Sequence, residues 1–272
     1  MLVLSWNLFH GRALPAVNRS LYGEFAAKLA GWRWEVALLQ EVPPWWPARL
    51  ARDLEVEQRC APTSRNALLP LRRVIAERRP ELLKSNGGGC NAILARERIA
   101  EHRAVTLRSL PERRVAQLVR LRDGRRVVNF HASTRPARAE QELARLWRLA
   151  LEWAGEAPLL LGGDLNLRSP RAPGGVGGPA VVHVAGHGVD HLFARGLEGI
   201  GAPRSREARR VVSPGLRLPE PESDSKSKSE PKSTSPDDPQ KPLRPDRHAG
   251  PAGGRVALSD HEPLLVELAL SR

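Results

Sequence analysis

Six apolar runs in this chain each end abruptly in polar residues, and that pattern limits the folds open to it more than any other feature. The runs end at SWN (5–7), LLQE (38–41), NFH (129–131), LGGDLN (161–166), VDH (189–191) and LSDH (258–261). One such end is ordinarily a turn or a helix cap, because Asp and Asn serve both purposes. Six in one chain point to sheets whose strand ends gather polar side chains in one place, the usual position of sites in open α/β sheets.

The apolar runs predict strands over 1–6, 36–40, 92–95, 115–121, 126–131, 158–162, 190–194 and 263–269. Asp123-Gly124 suits a two-residue hairpin turn between two of them. Leu143, Leu146, Trp147, Ala150 and Trp153 recur at helical spacing, so Arg135–Ala154 is predicted helical. A second helix is expected over Ala67–Lys84, with Arg72, Arg73, Arg78 and Arg79 on a basic face. No internal repeat is visible. Hairpin-linked strands mixed with crossover helices predict an α/β sandwich with helices covering the sheets on the outside. Residues 213–254 are rich in Pro, Ser, Lys and acids and almost devoid of apolar residues. Such a segment cannot bury enough surface to offset its ordering entropy and is expected to be disordered. A strand-like stretch, 255–270, follows it. The expectation is therefore one domain, 1–212 plus 255–272, interrupted by an internal linker rather than ended by a tail.

Composition removes several classes. With 41% hydrophobic residues the chain can form a sizeable core. Met1–Asn7 is too short for a signal peptide, and no run is long enough to span a bilayer. The reading is a soluble, cytoplasmic monomer with no obligate protein partner. Cys60 and Cys90 make no disulfide framework and have no neighbours at zinc spacing. The net charge of +13 suits an anionic partner such as nucleic acid. Only six of the 43 basic residues are lysine, a ratio that GC-rich coding also produces. The charge is thus compatible with a phosphate substrate without identifying one.

The residue types fit one reaction. Hydrolysis of a phosphodiester needs an activated water, charge stabilisation at the phosphoryl oxygens and neutralisation of the leaving oxygen. Hard divalent cations favour oxygen ligands, so Glu41 and Asp260 suit Mg²⁺ or Mn²⁺, with Asn7 as a neutral oxygen donor. Asp164 can orient or deprotonate water. His261 can donate to a phosphoryl oxygen, and a carboxylate partner would fix its tautomer. Acyl transfer is rejected: Ser259 lies in no Gly-x-Ser-x-Gly elbow, and Asp260 and His261 cannot converge on it from consecutive positions.

WN at 6–7, LLQE at 38–41, NFHAS at 129–133, GGDLN at 162–166, VDHLF at 189–193 and LSDHEPL at 258–264 together resemble the endonuclease/exonuclease/phosphatase superfamily. The motifs stand in family order from residue 6 to residue 264. The resemblance implies a four-layer α/β/β/α sandwich of the deoxyribonuclease I type, with two packed mixed sheets and outer helices. It assigns Asn7, Glu41 and Asp260 to the metal, Mg²⁺ or Mn²⁺. Asp164 matches the carboxylate that aligns the attacking water and Asn166 the amide that binds phosphate. His261 matches the histidine on the scissile phosphate, Asp190 the acid that orients it, and His131 a second phosphate-side histidine. The implied reaction is in-line displacement without a covalent enzyme intermediate.

Asn91 is either a neighbour of His131 or a plain strand-start asparagine. Arg113 and Arg114 precede a strand where a phosphate-facing arginine is expected, and either could supply it. Trp45 and Trp46 could stack on a base or pack the loop after Glu41. His183, His187 and His191 are not expected to be metal ligands, and His10 has no motif support. The stretch between Asn166 and Asp190 is short and glycine-rich, a departure from the apurinic endonucleases that weakens abasic-site specificity. Three readings follow: a nuclease on DNA or RNA, a phosphatase or phosphodiesterase on a small molecule or lipid headgroup, and an inactive phosphate-binding module.

Overall fold

The computed structural model describes residues 1–17, 19–63, 68–78, 89–173, 180–204, 210–212 and 255–271. The segment 213–254 and residues 67 and 79–84 of the second expected helix lie outside the described residues.

In chain order the elements are β1 (Leu2–Asn7), a 3-10 turn (Phe9–Gly11), β2 (Ala13–Leu14), α1 (Tyr22–Gly31), β3 (Val36–Val42), α2 (Trp46–Asp53) and β4 (Glu57–Pro62). There follow α3 (Leu69–Arg78), β5 (Cys90–Ala95), β6 (Ile99–Arg108), β7 (Arg114–Leu121), β8 (Arg126–His131) and α4 (Pro136–Ala154). The last part contains β9 (Leu159–Asp164), β10 (Val182–His187), β11 (Asp190–Arg195), β12 (Leu197–Arg204), β13 (Arg210–Val212), β14 (Arg255–Leu258) and β15 (Leu264–Leu270). One sheet has the order β12-β15-β1-β3-β5-β4, the other β10-β11-β9-β8-β7-β6, and β13-β14-β2 form a small third sheet. The pairs β1–β3 and β8–β9 are parallel and all other pairs antiparallel, so both large sheets are mixed.

Strand alternation builds the layers. Val3, Val36, Leu38, Ile93, Val119, Val127, Leu160, Leu192 and Val266 pack together between the two large sheets. Their strand neighbours face outward. Leu4, Trp6, Leu39 and Leu94 pack under Phe25 and Leu29 of α1 and Leu50 of α2. Val128, Phe130, Leu159 and Leu161 pack under Leu143, Leu146 and Trp147 of α4. The order is helix, sheet, sheet, helix. Central strands are apolar on both faces, which explains why their sequences read as continuous runs. Each fully buried Leu or Phe contributes about 1.5–3 kcal/mol, so the three packed layers dominate stability.

The expected strands all form. Several elements went unpredicted: α1, α2, β2, β4, β6, β10, β12 and β13; the strand-like stretch 255–270 divides into β14 and β15. Trp46 is buried, in contact with the rings of Tyr22 and Phe25, and Trp45 packs against the same core. Packing, not base stacking, accounts for this pair. Cys60 on β4 and Cys90 on β5 are free thiols.

Candidate active site

The alternation that fills the inter-sheet core also makes the site. Asn7 follows Val3 and Ser5 on one face of β1, His131 follows Val127 and Asn129 on β8, and Asp164 follows Leu160 and Gly162 on β9. At these strand ends the apolar layer gives way to buried polar groups. Asn7 is 1% exposed, Asp164 2% and Asp190 3%, far below what such side chains accept without partners.

Beneath the site two amides join the sheets. Gln40 Nε2 donates to Asn129 Oδ1 at 2.8 Å, and Asn129 Nδ2 donates to the carbonyls of Leu39 and Ala92 at 2.9 and 3.0 Å. Close backbone approach beside them requires the Gly162-Gly163 pair. A Cβ on Gly163 would lie 2.1 Å from the Phe130 carbonyl oxygen, and one on Gly162 would lie 2.3 Å from the Leu192 side chain. Glu41 reaches the site through a break in alternation. The β3–β5 register shifts between Leu39 and Val42, and Glu41 is left-handed (φ +50°). This irregularity re-aims the side chain.

Asp164 is the hub. Its Oδ2 accepts from Asn7 Nδ2 at 2.9 Å and lies 3.5 Å from His131 Nε2 and 3.6 Å from His261 Nε2. Its Oδ1 accepts the Asn166 backbone N–H at 3.1 Å, while Asn166 Nδ2 donates to the Ala132 carbonyl. His261 Nδ1 donates to Asp190 Oδ2 at 2.7 Å. Ser259 Oγ donates to the Asn7 carbonyl at 2.6 Å and accepts the His261 N–H at 3.0 Å, so Ser259 shapes the loop. Glu41 sits between two histidines: His10 Nε2 lies 3.0 Å from its Oε2, and His131 Nε2 lies 3.9 Å from its Oε1.

The environments separate the ionisation states. Burial, together with the charge of Asp190, pushes the Asp164 carboxyl well above the ordinary range. Burial disfavours the charged form of His261, but the hydrogen bond and charge of Asp190, with Asp164 and Asp260, outweigh it and raise the imidazole to about 9. Burial, aided by the Arg114 charge, drives His131 down to about 3, so it is neutral at pH 7. Burial also disfavours ionised Glu41, yet the His10 hydrogen bond and the charges of His10, His131 and His261 hold it at about 2. Asp260 is raised by burial, with Glu41 among the charges raising it.

Two donor sets could hold a cation. Asp164, Asp190 and His261 offer ligand atoms all within 4.8 Å of one another. In that set His261 Nδ1 and Asp190 Oδ2 are already engaged with each other at 2.7 Å. The other set is Glu41 and Asp260, two carboxylates whose charges act on each other, and Asn7, paired with Gln40 beside Glu41, offers a neutral oxygen, Oδ1. Oδ1 accepts the Phe9 N–H at 2.9 Å and keeps a second lone pair. An oxygen-rich pair of mutually repelling carboxylates fits a hard divalent cation better.

The remaining expectations divide. Arg114 is 6% exposed, is bonded to Glu112, and acts on His131, whereas exposed Arg113 only reaches Thr106 Oγ1. The adjacent arginines thus separate, with Arg114 at the site. Asn91 Nδ2 donates across the sheets to the Val115 carbonyl at 3.0 Å; among the described residues it makes no hydrogen bond to His131. His183 Nε2 faces His191 Nδ1 at 3.0 Å, His191 Nε2 donates to the Leu167 carbonyl, and His187 faces Glu262. His10, without motif support in the sequence, contacts Glu41 directly.

Comparison with known proteins agrees with this fold. A model of the Endonuclease/Exonuclease/phosphatase family matches residues 4–261. No curated protein matches in sequence. Among solved structures, an endonuclease/exonuclease/phosphatase from Beutenbergia cavernae superposes with a TM-score of 0.61 at 17% identity, covering 99% of this chain and 71% of that one. A Bacteroides thetaiotaomicron mannosyl-6-phosphatase gives 0.61 at 13% identity, covering 99% and 100%. TDP2 from Caenorhabditis elegans gives 0.53 at 15% identity, covering 75% of this chain and 66% of that one. At these identities the structures report the shared fold. Among the described residues no helix is long and apolar enough to cross a membrane. The family match spans nearly the whole chain, and the chain belongs to the endonuclease/exonuclease/phosphatase family, whose members are divalent-metal-dependent hydrolases of phosphoester bonds.

Proposed function

We propose that this protein is a nuclease that hydrolyses phosphodiesters of DNA or RNA by in-line attack of water. The observation that carries the proposal is the convergence on Asp164, whose Oδ2 faces Asn7, His131 and His261 at 2.9–3.6 Å. In this reading Glu41 and Asp260, with Asn7, hold Mg²⁺ or Mn²⁺, which when bound neutralises charge at the phosphoryl and leaving oxygens. Asp164, its basicity raised by burial, takes the proton of the attacking water while Asn7 fixes its orientation. His261, protonated through Asp190, donates from Nε2 to a phosphoryl oxygen. Neutral His131 donates to a second one, and Asn166 binds the phosphate. No covalent enzyme intermediate forms.

The net charge of +13 and the buried Arg114 favour a polyanionic substrate. The likeness to a mannosyl-6-phosphatase supports a phosphomonoester arm in the test. We further read 1–212 and 255–272 as one domain interrupted by 213–254, because β15 lies between β1 and β12. The test is a panel of supercoiled plasmid, single-stranded DNA, RNA and sugar phosphates, with Mg²⁺ or Mn²⁺ and with chelator. Cleavage of a nucleic acid that chelator and Asp164→Asn each abolish is expected. Hydrolysis of sugar phosphates with every nucleic acid left intact would overturn the nuclease reading.

A further inference from the structure

After Asn7 the chain makes one tight turn in a conformation that residues bearing side chains seldom adopt. Phe9 (φ +48°) and His10 (φ +53°) are both left-handed, and so is Glu41 (φ +50°). Such backbone persists only where surrounding contacts over-determine it, and it clusters at functional sites. Here the turn is held firmly. Asn7 Oδ1 accepts the Phe9 N–H at 2.9 Å, and the Gly11 N–H donates to the Leu8 carbonyl at 2.8 Å. Gly11 lies against the Trp46 ring, where a Cβ would come within 2.5 Å. The product of the turn is one contact, His10 Nε2 at 3.0 Å from Glu41 Oε2.

The other ring nitrogen decides what that contact is. His10 Nδ1 is buried and has no hydrogen-bond partner among the described residues. A histidine that ligates a metal through Nε2 carries its proton on Nδ1 and gives it to a neighbour. Among the described residues no neighbour accepts one, which favours a proton on Nε2, donated to Glu41. We infer that His10 is a positioning residue, which holds one Glu41 oxygen so that the other faces the reaction centre. Glu41 Oε1 does face that way, 3.9 Å from His131 Nε2. Because Asn7 pins the same turn, one hydrogen-bonded path, Asn7 to Phe9 to His10 to Glu41, sets the spacing of two donors. The inference rests on the assignment of Glu41 to the metal ion made above.

The test is Mn²⁺ binding to the full chain without substrate, followed by electron paramagnetic resonance, for wild type, His10→Asn, His10→Gln and Glu41→Gln. Asparagine tolerates the left-handed backbone but its amide stops short of Glu41, whereas the glutamine amide reaches as far as Nε2. His10→Asn should bind Mn²⁺ about 10- to 100-fold more weakly, the usual effect of losing a group that orients a ligand. His10→Gln should recover most of that loss. Wild-type binding by His10→Asn, beside weakened binding by Glu41→Gln, would overturn this inference alone. Equal losses in the asparagine and glutamine variants would overturn it too, since the imidazole itself would then be the ligand. Unchanged binding by Glu41→Gln would overturn the Glu41 assignment and the inference with it.

Discussion

Replacing Asp190 with asparagine removes the charge that keeps His261 protonated, with little change in shape. The Nδ1–Asp190 Oδ2 contact is 2.7 Å, and after the opposing effect of burial it is the largest influence on the imidazole. His261 binds its proton more tightly in the folded chain, at about 9, than at the ordinary histidine value of 6.5. At 1.36 kcal/mol per pH unit that difference is worth about 3 kcal/mol. The contribution is fully present below pH 6.5 and is lost as pH rises through about 9. Urea unfolding of wild type and Asp190→Asn at pH 6, 8 and 10 should therefore show a stability gap that is widest at pH 6. The gap should shrink by up to about 3 kcal/mol by pH 10. Imidazole NMR should place His261 near or below 6.5 in the variant. Hydrolysis should fall at least about 10²-fold at pH 7, because the group proposed to face the phosphate loses both charge and orientation. A variant in which His261 still titrates near 9, or whose stability gap does not change with pH, would refute the reasoning.

Other outcomes follow from single contacts. Gly163→Ala should cost at least about 3 kcal/mol of stability in chemical unfolding, since its Cβ meets the Phe130 carbonyl oxygen at 2.1 Å; Gly124→Ala, open on every side, should cost only about 1–2 kcal/mol. Ser259→Ala leaves the Asn7 carbonyl and the His261 N–H without their side-chain partner, and should cost about 1–3 kcal/mol by the same measurement. Arg114→Ala should raise KM about 10-fold or more by removing a charged donor beside His131, while Arg113→Ala leaves steady-state kinetics within about two-fold. Equal effects of the two would refute their separation.

The central strands were legible because each is buried on both faces. LVLSW, VALLQ and LLLGG cannot be anything but interior. The peripheral strands were not. β4 (EQRCAP), β6 (IAEHRAVTLR) and β12 (LEGIGAPR) are edge strands with mostly polar or small residues. They are strands because β5, β7 and β15 present backbone donors and acceptors that need partners. Local composition carries little of that demand. α1 had a readable stripe, with Tyr22, Phe25 and Leu29 at helical spacing, but only three residues and no capping signal marked it.

The site divides along the same physical line. Asn7, His131 and Asp164 occupy strand ends where alternation alone decides the direction of the side chain, so their convergence could be read from residue type and order. Arg113 and Arg114 could not be told apart: regular alternation would put Arg114 with Ala116 and Leu118 on the helix-covered face, yet Arg114 is the buried one that acts on His131. Glu41 and His10 are harder still. Regular alternation would carry Glu41 to the helix-covered face of its sheet; the register shift between Leu39 and Val42, with the left-handed backbone at Glu41, returns it to the site. His10 meets it only because Phe9 and His10 enter the left-handed region together. Regular backbone writes itself into a sequence as a period, whereas strained backbone leaves no period to read. The residues set by strain are those whose reach cannot be inferred before the fold is known, and in this chain they hold the carboxylate proposed to carry the metal ion.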